Sequence, residues 1–191
     1  FIAERAARDG IVIATKSGFS TGQGVHTGGN GAKHVHSALE ASLRRLQTDY
    51  VDMLWVHIWD SVTPAEELVE TMSQLIRAGK VRYWGISNSP AWYVAKVATL
   101  ATASRRPAPI ALQYFYSLVN RDIEEEFVPL AREFGMGIQP WSPLAFGLLT
   151  GKYNRGAVEA AAPRDAGLPR DAASSDAERP DGDKRLDGAN P

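Results

Sequence analysis

Five short apolar runs alternate with longer amphipathic segments along the chain. The runs are rich in β-branched and aromatic residues, which is typical of strands that are buried on both faces of a parallel sheet. We therefore predict β-strands at residues 11–15, 51–58, 81–86, 110–112 and 137–141.

The segments between these runs carry apolar residues at helical spacing, every three or four positions. Such a stripe predicts an amphipathic helix with one face against the core. The three clearest stripes are Val35, Leu39, Leu43 and Leu46; Leu68, Met72, Leu75 and Ile76; and Ile123, Phe127, Leu130, Ala131 and Phe134.

Residues that favour helix ends lie at the borders of the amphipathic segments. A capping residue, a proline or an early glutamate marks each start, and a glycine that can adopt a left-handed conformation marks the end. The starts are Thr63-Pro64-Ala65-Glu66, Ser89-Pro90 and residues 122–125, and the ends are Gly79 and Gly135.

Repeated strand–helix units predict an α/β fold, a parallel sheet with right-handed crossovers. Five strands fit either part of an eight-stranded barrel or an open doubly wound sheet, and the pattern of elements alone favours neither.

Composition excludes several classes of protein. The 191 residues carry 21 basic and 22 acidic side chains. This balance provides no broad positive electrostatic potential that would bind nucleic acid or an anionic membrane. No apolar run approaches the roughly 18–20 residues needed to span a bilayer. The absence of cysteine excludes disulfides, and a cytoplasmic location is the simplest interpretation.

The composition changes after Tyr153. Residues 154–191 are rich in Ala, Asp, Gly, Pro and Arg, and such a stretch buries too little apolar surface to offset its ordering entropy. We predict a folded strand–helix domain at 1–153 and a long flexible loop or tail at 154–191. Both ends of the sequence read as cut, which suggests a fragment.

A polar or aromatic side chain follows every predicted strand. In parallel α/β folds the carboxyl ends of the strands form the rim where active sites are built. One such residue would mean little, but five in succession predict a site. They are Lys16, His57, Ser87-Asn88, Gln113 and Trp141-Ser142.

These segments resemble the aldo-keto reductase family, in order and with matching spacing. The resemblance runs from Ile11 to Tyr153 and is densest in bacterial members that carry a similar last motif. The matching motifs are IATK at 13–16, YVDMLWVH at 50–57, GKVRYWGISN at 79–88, QYFYSLVNR at 113–121 and WSPLAFGLLTGKY at 141–153.

The resemblance implies a (β/α)8 barrel, of which this chain would supply strands three to seven and lack the first two and the last. It also implies NADPH-dependent reduction of small aldehydes and ketones to alcohols by a tetrad of aspartate, tyrosine, lysine and histidine. By motif, Lys16 is the lysine and His57 the histidine. The aspartate and tyrosine would precede Phe1, and no tyrosine in the sequence matches the missing position, so we expect the fragment to be weakly active or inactive.

The resemblance also implies an NADP(H) site. It assigns the nicotinamide carboxamide to Ser87, Asn88 and Gln113 and the nicotinamide face to Trp141, for which core packing is the alternative. Ser87 and Asn88 could be merely the turn and cap before Pro90, a role compatible with binding. The loop along the pyrophosphate would comprise Ser142, Pro143, Leu144, Ala145 and Phe146, with Lys152 nearby.

Two other functions stay open. The potassium-channel β subunits share the WSPLA-type motif, so an NADP-binding regulatory subunit is one alternative, although His57 favours an enzyme. A non-functional truncated product is the other. The sequence carries no signal for an oligomeric state.

Three further features have simple interpretations. Trp59, two residues after His57, is a candidate wall of the substrate pocket. His34 and His36, with His26 nearby, form a weak metal motif because alternate residues on a helix point apart, so we predict no metal site and solvated side chains. The Gly18–Gly31 segment contains no GxGxxG or Walker pattern and is predicted to be an anchored loop.

Overall fold

The computed structural model describes residues 8–151 as a parallel sheet alternating with helices. Its strands are hydrogen-bonded in the order β1-β2-β3-β4-β5, and every pair is parallel. The strands are β1 (Ala14–Ser17), β2 (Val51–Val56), β3 (Val81–Ser87), β4 (Ala111–Phe115) and β5 (Gly137–Trp141). The helices are α1 (Ala32–Leu46), α2 (Ala65–Arg77), α3 (Ala91–Ala103) and α4 (Ile123–Glu133), with 3-10 turns at Arg8–Gly10 and Ala145–Thr150.

The strand order distinguishes the two folds that the sequence left open. Each strand is followed by its neighbour in the same direction, so right-handed crossovers place all four helices on one face of the sheet. Consecutive helices contact each other, α1 with α2, α2 with α3 and α3 with α4. A doubly wound sheet would reverse its strand order and place helices on both faces. The fold is therefore a partial (β/α)8 barrel, as the resemblance implied.

A contact across the sheet shows that it is curved. The Lys16 ammonium on β1 donates a hydrogen bond to Gln113 Oε1 on β4. Two strands lie between them, and a flat sheet would separate β1 from β4 by about 14 Å. Since side chains stand roughly perpendicular to a sheet, the two meet only because the sheet bends toward its helix-free face.

The core lies between the sheet and the helices. Val35 and Leu39 of α1 and Leu68 and Met72 of α2 are fully buried, so the predicted helical stripes are confirmed. On α4, Ile123 and Ala131 are buried, and Phe127, Leu130 and Phe134 pack partly buried against the same core.

The first and fourth strands differ from their predicted positions. Val12 is 83% exposed and lies outside the strand. The strand β1 begins only at Ala14, because the Ile13 N–H donates to the Asp52 carboxylate in place of a ladder partner. The fourth strand continues to Phe115, beyond the predicted 110–112. Its polar residues hid this continuation, since Gln113 and Tyr114 are buried in the sheet.

The predicted glycine ends of helices are confirmed, whereas the predicted side-chain caps are wrong. Gly79 and Gly135 have φ values of +73° and +64° just beyond α2 and α4. The prolines 64 and 90 themselves occupy the N-cap positions, and Asp122 makes no capping hydrogen bond. The Thr63 hydroxyl donates instead to the Asp60 carboxylate, 3.0 Å away.

Residues 117–120 and 142–151 belong to a second compact unit, separate from the one that holds the sheet. Within it, Ser117 and Asn120 form a tight turn. The predicted tail at 154–191 lies outside the described residues. Among residues 8–151, no helix combines the length and apolar character that a membrane crossing requires.

Candidate active site

Lys16 and His57 lie side by side at the carboxyl ends of β1 and β2. In the ladder Lys16 is level with Trp55 and Ser17 with Val56. The next ladder bond runs from the His57 N–H to the Ser17 carbonyl, at 2.8 Å. The lysine and the histidine predicted from the motifs therefore meet at one edge of the sheet, on neighbouring strands.

A chain of side-chain amides extends from Lys16 across the helix-free face of the sheet, which its curvature makes concave. Gln113 accepts from the Lys16 ammonium and donates from Nε2 to Gln139 Oε1 on β5, at 2.8 Å. Ser87 is fully buried, and its hydroxyl donates to the Gln113 carbonyl at 2.7 Å. Four of the five strands are thus linked through Gln113.

Asn88 makes a second link between strand ends. Its Nδ2 donates to the His57 carbonyl at 3.0 Å, and its Oδ1 accepts from the Trp141 indole N–H at 3.2 Å. Asn88 has a φ of +45°, a left-handed conformation that asparagine tolerates better than most residues. Strained backbone of this kind concentrates at functional sites. Asn88 is more than the turn before Pro90, because it joins the ends of three strands.

Trp141 lies at the end of β5 and is partly exposed. Its ring stacks on Phe115 of β4, with centroids 4.9 Å apart and planes inclined by 29°. The indole is therefore held in a fixed orientation by one ring and one hydrogen bond, and it is not buried in the core.

The electrostatics of the pair favour a neutral histidine. Burial lowers the pKa of His57, and the positive charge of Lys16 lowers it further. Partial burial also lowers the pKa of Lys16, although the residue as a whole is exposed. Both shifts disfavour the charged forms, so this arrangement favours a neutral imidazole at His57 beside the Lys16 amine.

The sequence missed two residues of this cluster. Gln139 escaped notice because it lies inside an apolar run, and a polar residue within a buried strand was the available signal. Phe19 packs edge-to-face on the His57 ring, with centroids 4.3 Å apart and planes at 79°. No periodicity marks Phe19, since it lies in the glycine-rich loop.

Trp59 lies on the same rim. The backbone N–H of Trp59 donates to the Asn88 carbonyl at 3.4 Å. Its ring contacts the rings of Trp92 and Tyr93, with centroid separations of 5.8 and 6.1 Å. Part of the ring packs against the core, so Trp59 has a structural role in addition to its predicted place as a pocket wall.

The predicted pyrophosphate loop falls in the second unit and is described by itself. Ser142, Ala145 and Phe146 have φ values of +51°, +49° and +55°, an unusual density of left-handed residues. The Phe146 N–H donates to the Ser142 hydroxyl at 3.0 Å. Pro143 and Leu144 are exposed, and Lys152 lies outside the described residues.

The prediction of solvated histidines is wrong for His34. Its side chain is only 5% exposed, and its Nε2 has no hydrogen-bond partner among the described residues. His26 is exposed. Within residues 8–151 no three His, Asp or Glu side chains converge as metal ligands would.

Two buried tyrosines of the described region hold their hydroxyl protons more tightly than a free phenol does. Burial raises the pKa of Tyr93 to about 12 and raises that of Tyr114 as well. The Tyr114 hydroxyl donates a hydrogen bond to the Ser89 carbonyl at 2.7 Å.

Comparison with known proteins agrees with this geometry. The model of the Aldo/keto reductase family matches residues 1–168. An aryl-alcohol dehydrogenase of Pestalotiopsis microspora is 41% identical over 78% of this chain and 40% of its own length. Norsolorinic acid reductase A of Aspergillus parasiticus is 38% identical over 77% of this chain and 39% of its own length.

A relative with a different name matches equally well. A rice protein named "Probable voltage-gated potassium channel subunit beta" is 40% identical over 80% of this chain and 47% of its own length. The chain spans about half the length of the curated relatives it matches. The family match covers most of the sequence, and the fold agrees with it, so the chain belongs to the aldo/keto reductase family.

Proposed function

We propose that this chain is the part of an NADP-dependent carbonyl reductase that carries its lysine and histidine and its nicotinamide site. The observation that supports this most directly is the meeting of the Lys16 ammonium, the His57 imidazole and the amides of Asn88 and Gln113 at one end of a parallel sheet. Carbonyl reduction needs a cation, a neutral hydrogen-bond donor and amide groups close together, and this rim provides all three.

The chemistry follows from where charge develops. When bound, the dihydronicotinamide supplies a hydride to the carbonyl carbon, and the electron pair of the C=O bond moves onto oxygen. A neutral His57 N–H can donate a hydrogen bond to that oxygen, and the nearby Lys16 charge stabilises the developing negative charge. The lowered pKa of His57 keeps this donor neutral at physiological pH.

The cofactor-facing residues fit a nicotinamide in chemical type. Its carboxamide offers one acceptor and two donors, and the side chains of Asn88 and Gln113 offer both in return. Ser87 would act through Gln113, whose backbone it holds. Trp141 would provide a flat surface for the ring. The resemblance assigns residues 142–146 and Lys152 to the pyrophosphate. The adenosine 2′-phosphate, which distinguishes NADP from NAD, would bind elsewhere.

A proton must reach the new alkoxide. In the family that proton comes from a tyrosine paired with the lysine, and no tyrosine of this sequence matches the position. We therefore propose that the 191-residue chain by itself binds the nicotinamide end of the cofactor and turns over poorly. In a protein that also contains the tyrosine and the aspartate, turnover would be that of an ordinary reductase.

The names of the relatives suggest which substrates to test first. By their names, these relatives act on aryl alcohols and on norsolorinic acid. We propose aromatic aldehydes as substrates, with Trp59 as one wall of their pocket, and a cytoplasmic location where NADPH is available.

A regulatory subunit is the second candidate, favoured by the rice relative. In such a protein the bound cofactor would report redox state to a partner. A pulldown whose strength changes between NADP⁺ and NADPH would support this function. A non-functional product is distinguished by thermal unfolding, since it would show no cooperative transition.

The function is tested by replacing His57 in the protein that contains this chain. H57Q keeps a polar side chain without the imidazole. We expect turnover of an aromatic aldehyde to fall by about 10²-fold or more, with cofactor binding retained. Unchanged turnover would contradict the proposed role of His57.

A further inference from the structure

The glycine-rich loop is tied to the segment that carries His57. Residues 18–31 leave β1 and return to α1, and the loop is closed at its base by a hydrogen bond from the Gly29 N–H to the Gly18 carbonyl at 2.8 Å. The second segment, residues 57–63, connects β2 to α2. Phe19 projects from the loop onto the His57 ring.

Asp60 is the centre of the connection between the two segments. Its carboxylate accepts the N–H of Asn30 at 2.5 Å from the loop. From its own segment it accepts the N–H groups of Val62 and Thr63, at 3.0 and 2.6 Å. Partial burial alone would raise the pKa of Asp60, but the hydrogen bonds from Thr63, Asn30 and Val62 lower it overall. Asp60 is therefore a charged acceptor that gathers donors from both segments.

Asn30 provides the second tie. Its side chain is 1% exposed, and Nδ2 donates to the Ile58 carbonyl at 2.8 Å, one residue after His57. Gly18 fits against it closely, because a Cβ atom there would lie 3.2 Å from Asn30 Oδ1 and 3.6 Å from the His57 nitrogen. The start of the loop is thus pressed onto the backbone of His57 itself.

Phe19 is the residue whose position these ties determine. It follows Gly18 directly, is 42% exposed, and contacts the His57 imidazole edge-to-face. With so much of its surface in solvent, Phe19 has little packing of its own to hold it there. The contact depends on the loop being held, and the loop is held by Asp60 and Asn30.

We propose that Asp60 and Asn30 are positioning residues, which fix the 18–31 loop so that Phe19 orients and shields the imidazole of His57. The catalytic consequence rests on the proposed function, whereas the structural coupling does not. Neither residue touches the space between Lys16 and His57, so both act through Phe19.

The coupling is tested by NMR on the 191-residue chain. An aromatic ring packed edge-to-face shifts the ring protons of His57 through its ring current. The chain has four histidines, and H57Q assigns the resonances. F19L removes the ring current and defines the unshielded position. We expect D60N to move the His57 resonances most of the way to the F19L position, since a neutral amide cannot accept from all the donors that converge on Asp60.

Two further variants keep the test decisive. D49N changes an exposed aspartate at the other end of the sheet and should leave the resonances unchanged. G29A disturbs the tie from the loop side, because its Cβ would lie 3.2 Å from Asp60 Oδ2, and it serves if D60N fails to fold. Native His57 resonances in folded D60N, or in G29A, would overturn the proposal.

Turnover in the protein that contains this chain separates this proposal from the proposed function. We expect D60N to lower kcat about as much as F19L does, several-fold, with the KM for the cofactor unchanged. Shifted resonances with no loss of kcat in D60N would overturn the catalytic part of the positioning role. If H57Q also leaves turnover unchanged, the proposed function fails independently of the coupling.

Discussion

The Trp141 indole donates to Asn88 Oδ1 at 3.2 Å, while the other end of the same amide donates to the His57 carbonyl. One side chain in a left-handed conformation thus fixes a ring from β5 relative to the segment after β2. Because β2 and β5 are not neighbours in the sheet, the amide provides a link between their ends that the strand ladder does not.

Two substitutions at Asn88 separate its hydrogen bonds from its backbone conformation. N88G and N88A both remove the amide, but only alanine has a Cβ that is disfavoured at a φ of +45°. We expect N88A to be less stable than N88G by about 1 kcal/mol. Urea unfolding measures the difference, and equal midpoints would show that the left-handed backbone is not retained in the variants.

Removal of the Lys16 charge should change the titration of His57. K16M eliminates a positive charge that disfavours the imidazolium, so the pKa of His57 should rise. It should stay below its ordinary value, because burial is the larger cause of the shift and remains. K16R is the matched control that keeps the charge. A fall in the His57 pKa in K16M would contradict the arrangement of the pair.

The lowered pKa of His57 also predicts how stability depends on pH. The folded state binds the imidazole proton less tightly than the unfolded state, whose pKa is about 6.5. The unfolded state therefore takes up more protons as the pH falls below that value, and the free energy of unfolding decreases until the folded pKa is passed. Denaturant titrations at several pH values should show this slope, and H57Q should flatten it.

Gly85 is required by close packing on the concave face. A Cβ atom there would lie 2.5 Å from Trp55 Cζ3 and 2.6 Å from the Ala111 carbonyl oxygen. Because one of these neighbours is backbone, G85A should destabilise the fold by about 1–3 kcal/mol. Gly137 lies in the same sheet, across Ala111, and a Cβ there meets nothing within 4 Å. G137A is thus the control, and an equal loss in both variants would show that the contact at Gly85 is not the cause.

Much of the fold followed from local patterns. The apolar stripes of α1 and α2 predicted which residues would be buried, because helical periodicity directly reports the face that meets a core. The helix ends at Gly79 and Gly135 could also be predicted from the local sequence, since they depend on backbone conformation alone. The motifs then located Lys16 and His57 through the family, which spacing alone could not have done.

The features that the sequence missed depend on tertiary contacts. The start of β1 depends on a side chain thirty-nine positions away, Asp52, which no window around Ile13 contains. Phe19 and Asp60 gain their roles only when the loop after β1 folds onto the segment after β2. His34 was expected to be solvated because alternate residues on a helix point apart and form no metal site with His36. Its burial is a tertiary property that this spacing does not report.

A titration of the isotope-labelled 191-residue chain with NADP⁺ tests for a nicotinamide site at the strand ends. We expect the side-chain amides of Asn88 and Gln113 and the indole N–H of Trp141 to shift together as cofactor is added, with a single affinity. F19L, outside the proposed cofactor contacts, should retain that response. Saturable shifts that leave these three groups unchanged, or no shifts at all, would contradict a nicotinamide site at the strand ends.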